Sequence, residues 1–106
     1  MSNYEEGCYG DGSFGPDHCM IKCIEIALSE DYPIDKDDYL LFGRLCEYHN
    51  SDPLSREELT DDERLSLDGL ENDCIEYLDY YRSDDDHYWG YENGDFGYWR
   101  IEDEKE

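Results

Sequence analysis

The chain has 106 residues, enough for one core and too few for a second, and it carries 31 Asp and Glu against eight Lys and Arg. A formal charge of −23 argues against phosphate-bearing ligands and opposes compaction at low salt. Leu, Ile and Phe make up only 19 of the 106 residues and Val is absent, a composition typical of disorder, but eleven Tyr and two Trp supply large areas to bury.

Residues 1–17 place Gly7, Gly10, Gly12, Gly15 and Pro16 among Tyr4, Tyr9 and Phe14, which breaks regular structure while offering rings to pack. The expectation is an irregular Gly/Tyr-rich arm laid across the domain. After Asp17, Met20, Cys23, Ile24, Ala27 and Leu28 recur at helical spacing, with Ile21 and Ile26 on the flanks. A helix apolar on most sides belongs at the centre of a fold. A second helix follows, with Asp35 as a cap, Leu41, Leu45 and Tyr48 on one stripe, and Pro53 as the stop.

Two S/T-x-x-E capping boxes come next, Ser55 with Glu58 and Thr60 with Glu63, and the second opens the longest periodic run of the chain. Leu67, Leu70, Cys74, Leu78 and Tyr81 share one face of that third helix. Asp61, Asp62, Asp68, Asp73, Glu76 and Asp79 fall away from it, leaving a carboxylate back face whose one apolar member is Leu65. Beyond the SDDD stretch, Asn93-Gly94 is a strong hairpin signal, because a type I′ turn needs positive φ at both residues. Centred there, the turn pairs Glu92 with Asp95, Tyr91 with Phe96, Gly90 with Gly97, Trp89 with Tyr98 and Tyr88 with Trp99. Each ring pair contributes about 0.2–1 kcal/mol beyond an alanine pair.

The expected fold is therefore α+β and mostly helical: a single acidic domain over 1–106 with about three packed helices. Its parts are the arm (1–17), a helical core (18–82), a two-stranded aromatic β-hairpin (87–101) and an acidic tail (102–106). The N-terminus lacks the basic flank and apolar run of a signal peptide, and no stretch approaches the roughly 20 apolar residues of a membrane span, so a cytoplasmic location is expected.

Cysteine chemistry offers little. Five cysteines are an odd number for a disulfide scaffold. Cys19, Cys23, Cys46 and His49 form the one arguable zinc set, but their spacing matches no knuckle or ribbon, and buried thiols are good core hydrophobes. The negative field raises thiol pKa, which disfavours a nucleophilic cysteine. Among 31 acids every carboxylate separation occurs somewhere, so no pair stands out as acid and base. Calcium-loop and phosphate-loop patterns are absent. The reading is of a non-enzymatic protein with no cofactor.

What remains is the charge, far beyond the net 2 to 8 or so that solubility asks of a small domain. Duplex DNA carries one negative charge per about 1.7 Å, and carboxylates one helical turn apart match the side-chain spacing of a basic groove. In charge, length and aromatic content the chain resembles the DNA-mimic inhibitors of phages and other mobile elements, which include anti-restriction proteins, uracil-DNA glycosylase inhibitors and some anti-CRISPR proteins. Those proteins share no fold or signature, so the resemblance assigns no residues. It implies an inhibitor, monomeric or dimeric, acting in the host cytoplasm on a basic nucleic-acid-binding protein or complex and not on nucleic acid or a membrane. The expected contacts are Asp61, Asp62, Asp68, Asp73, Glu76 and Asp79, with Asp84, Asp85, Asp86, Glu92 and Asp95 near the hairpin, and Tyr88, Trp89, Tyr91 and Trp99 as anchoring rings. An aromatic and acidic module for basic peptides or carbohydrate, and a zinc-stabilised domain, are the alternatives.

Overall fold

A computed structural model describes residues 4–52, 54, 58–83 and 85–101. Strand β1 (Gly7–Gly10) and a 3-10 turn (Gly12–Phe14) lead into α1 (Pro16–Ser29), α2 (Lys36–Asn50) and α3 (Asp61–Tyr81), and a hairpin of β2 (His87–Glu92) and β3 (Asp95–Arg100) follows. The fold is α+β and mostly helical, as the periodicities indicate. The sheet, however, has three antiparallel strands in the order β1-β3-β2. The arm is thus not wholly irregular: its residues 7–10 pair with β3 and complete the sheet.

Local chemistry explains the helix ends. Asp35 caps α2 by accepting from the Asp38 N–H at 3.1 Å, and Thr60 with Glu63 closes a full capping box on α3. α1 starts at Pro16, two residues before the expected His18, because proline is suited to a first helical position where no N–H partner is needed. The predicted Ser55 box and the Pro53 stop involve residues outside those described.

α1 is the central element. Its Cys19, Met20, Ile21, Cys23, Ile24 and Ala27 are buried, and it packs against α2, α3 and the sheet. α3 contributes Leu67, Leu70, Cys74 and Leu78, and α2 contributes Phe42 and Leu45. Phe42 takes the core position on α2, while the expected Leu41 and Tyr48 are only partly buried.

The hairpin register is the one the Asn93-Gly94 turn dictates, with Tyr88 opposite Trp99, Trp89 opposite Tyr98 and Glu92 opposite Asp95. Asn93 and Gly94 have φ of 55° and 85°. Strand alternation then sorts the rings. Trp89, Phe96 and Tyr98 point inward and are sealed, with Tyr4 and Tyr9 of the arm packed on Trp89 at ring distances of 4.9 and 5.4 Å. On the outer face the Gly90-Gly97 pair leaves room for Trp99 to lie down, and its indole N–H donates to Gly90 O at 2.9 Å. A Cβ at Gly97 would stand 2.4 Å from Gly7 O and 2.6 Å from the Trp99 ring, so this glycine admits both β1 and the indole.

One polar latch ties the arm to the ends of α1 and α3. Glu30, at the end of α1, accepts from the Tyr4 hydroxyl and from Arg82, while Tyr77 donates to the Glu30 carbonyl at 2.7 Å. The Tyr4 hydroxyl and Arg82 together hold the Glu30 carboxyl below its ordinary pKa. Burial, reinforced by Glu30, lifts Tyr4 to about 12.

Candidate interaction surface

α3 buries one stripe and leaves the opposite side open. Asp61, Asp62, Asp68, Asp73, Glu76 and Asp79 are all exposed, as are Leu65, Ser66, Gly69, Asn72 and Tyr80 between them. At 100° and 1.5 Å per residue the six acids fill an arc of about 140° and run about 27 Å from end to end. One DNA strand carries about eight phosphates over the same rise.

Among the described residues none of these six acids forms an ion pair. Arg64, the one basic residue within α3, turns to Asp17 at 3.1 Å, Arg44 pairs with Glu63 at 3.4 Å, Lys22 with Glu25 at 3.9 Å, and Arg82 with Glu30. Lys22–Glu25 lies within α1 and the other three pairs join different elements, so none of them occupies a carboxylate of the acid face. The acidity continues onto the first turn of α2. There burial raises the pKa of Asp38, with Asp35, Asp37 and Asp73 adding to it.

The other expected contacts divide. Trp89 is a correction: at 2% exposure it is a core residue, its indole N–H donates to Arg82 O at 3.2 Å, and it offers no surface to a partner. Asp79 keeps an exposed carboxylate, but Oδ1 accepts from the Trp89 backbone N–H at 3.1 Å. That bond occupies a donor on the outer edge of β2, and a carboxylate there discourages pairing with another chain. Asp95 is tied to the Gly12 N–H at 2.6 Å, so it joins the arm to the hairpin.

Tyr91 is 40% exposed at the rim of the core face, with its hydroxyl bonded to Glu71 of α3. Burial raises the pKa of both partners; the hydroxyl opposes the rise at Glu71, whereas nearby Asp68 adds to it. Tyr88 and Trp99 lie half-buried on the outer sheet face, and the Tyr88 hydroxyl is bonded to exposed Glu92. Asp85 and Asp86 are exposed in the turn before β2. Asp84 falls outside the described residues.

The sequence pattern misplaces one ring in the opposite sense. Tyr81 has the angular position of the core stripe yet is 57% exposed, and its neighbour Tyr80 is 79% exposed. α1 ends at Ser29, level with Tyr77, so Tyr81 lies one turn beyond the helix that would have covered it.

Cys19, Cys23 and Cys74 are core residues, Cys46 is partly buried on α2 and Cys8 is exposed on β1. Cys19 Sγ donates to Gly10 O at 3.2 Å and Cys23 is fully buried. Among the described residues no three His, Cys, Asp or Glu converge as metal ligands, so Cys19, Cys23, Cys46 and His49 do not form the arguable zinc set. Burial, with acids nearby, pushes the Cys74 thiol up to about 12 and raises Cys8, Cys19, Cys23 and Cys46 as well, the reverse of what a nucleophile needs.

No helix among the described residues is long and apolar enough to cross a membrane. The chain matches no protein-family model, no curated protein and no solved structure.

Proposed function

We propose that this protein is a non-catalytic inhibitor of the DNA-mimic type, which occupies the basic nucleic-acid-binding site of a partner such as a restriction enzyme or an RNA-guided nuclease of a host defence system. The observation that carries the reading is the open face of α3, where six carboxylates stand over about 27 Å and none forms an ion pair among the described residues. The longest dimension of the molecule is 51 Å, and a duplex of that length carries about 30 charges against the −23 of this chain. Long-range attraction speeds the encounter toward about 10⁸–10⁹ M⁻¹s⁻¹ at low salt, and the carboxylates replace phosphates opposite Arg and Lys. Competition suffices, with no turnover.

The test is displacement of a fluorescent duplex from a panel of restriction endonucleases and guided nucleases at 50 mM salt. Stoichiometric release from at least one enzyme is expected, weakening steeply by 500 mM salt. Over the same range the melting temperature of the protein alone should rise, because salt screens its self-repulsion. A panel in which no enzyme releases its duplex to a large excess of this protein sinks the reading.

A further inference from the structure

The acid face ends in a feature of a different kind. Where α3 meets the turn before β2, an open hollow of about 570 Å³ is lined by Glu76, Asp79, Tyr80, Ser83 and Asp85. Tyr80 and Tyr81 pack edge to face beside it with ring centroids 4.7 Å apart. Behind them Tyr81 leans on Tyr77 at 4.8 Å, and Tyr77 rests on Tyr32 at 5.3 Å. Large exposed rings backed by a line of half-buried ones are set in place before any partner arrives, so less ordering entropy is lost on contact. The hollow also lies at the C-terminus of a 21-residue helix, the end that favours a positive charge. Arg82, which stands at that end, is turned away to Glu30.

Rings, carboxylates and a helix C-terminus select among cations. An ammonium ion is a strongly hydrated point charge, whereas a guanidinium is planar, weakly hydrated and able to stack on an aromatic face while its edge donates to carboxylates. On the reading of the α3 face given above, we infer that this hollow is the anchor of the interface and takes an arginine side chain of the basic partner, stacked on Tyr80 and hydrogen-bonded to Glu76 and Asp85. The remainder of the acid face steers and is tolerant of lysine; the hollow discriminates.

Oligo-arginine and oligo-lysine peptides of equal length, titrated by calorimetry at 50 mM salt, separate the two. The expected result is binding of both, with the arginine peptide about fivefold tighter. Tyr80→Leu should abolish that preference while leaving the lysine peptide unchanged, and Tyr80→Phe should keep it. Because Tyr80 is 79% exposed, neither substitution threatens the fold. Asp68→Asn with Asp73→Asn should weaken both peptides equally. Equal affinity for the two peptides, or a preference that survives Tyr80→Leu, overturns the anchor and leaves the acid-face reading standing. If neither peptide binds, both fall.

Discussion

Two groups of rings lie close together in the sequence and have opposite fates. Trp89, Phe96 and Tyr98 of the hairpin are sealed against α1 and the arm, whereas Tyr80 and Tyr81 stand in solvent at the end of α3. The hairpin looks like the binding platform because its rings are concentrated, yet concentration is what a chain poor in aliphatic residues needs for a core. Tyr81 looks like core because it keeps the helical period, yet period places a side chain on a face and cannot supply a neighbour to cover it. Aromatic content alone therefore does not locate an interface; the covering element does.

Truncation separates the two groups most sharply. Trp89→Ala removes the ring on which Tyr4, Tyr9 and Tyr98 converge and should cost about 3–5 kcal/mol in urea unfolding. Tyr80→Ala should stay within about 0.5 kcal/mol of the parent. Equal losses from both substitutions would erase the distinction. Next in size is Gly97→Ala, whose Cβ meets the Gly7 carbonyl and the Trp99 indole; about 1–3 kcal/mol and faster hydrogen exchange in β1 than in α3 are expected. Uniform exchange across both elements would show that β1 is not separately dependent on this close approach.

Smaller effects concern charge. Because the Glu30 carboxyl is held below its ordinary 4.5, the folded state takes up this proton less readily than the unfolded chain. The resulting stability is full above about pH 4.5 and disappears as the pH falls through the lowered value. Glu30→Gln should therefore flatten the acid limb of a stability profile, and an unchanged limb would remove the latch from the account. Asp38 has the opposite sign: its raised pKa means that protonation favours the folded state, so Asp38→Asn should give a slight rise in melting temperature, larger at low salt. No dependence on salt would mean that crowding by Asp35, Asp37 and Asp73 is not the cause.

Features set by neighbours in the chain were legible in the residues themselves. Asp35 and Thr60 announce helix starts through their side-chain oxygens, Asn93-Gly94 fixes the hairpin register through its φ values, and the i, i+3, i+4 spacing of Leu67, Leu70, Cys74 and Leu78 identifies the buried stripe. The acid face of α3 follows from the same arithmetic. Strand β1 carries no such signal, because GCYG has two glycines in four residues and its hydrogen-bond partners lie nearly the whole chain away in β3.

What the sequence by itself determined, then, was the three helices, the hairpin with its register and the buried stripe of α3, since caps, turns and periodicity act over a few residues. Only the tertiary structure decided which faces found a cover. Trp89 went inside because the arm folded back over it, Tyr81 stayed outside because α1 ends before reaching it, and Arg64 and Arg82 were drawn away from the acid face by partners on other elements. Burial depends on what distant segments bring, and no local pattern encodes that.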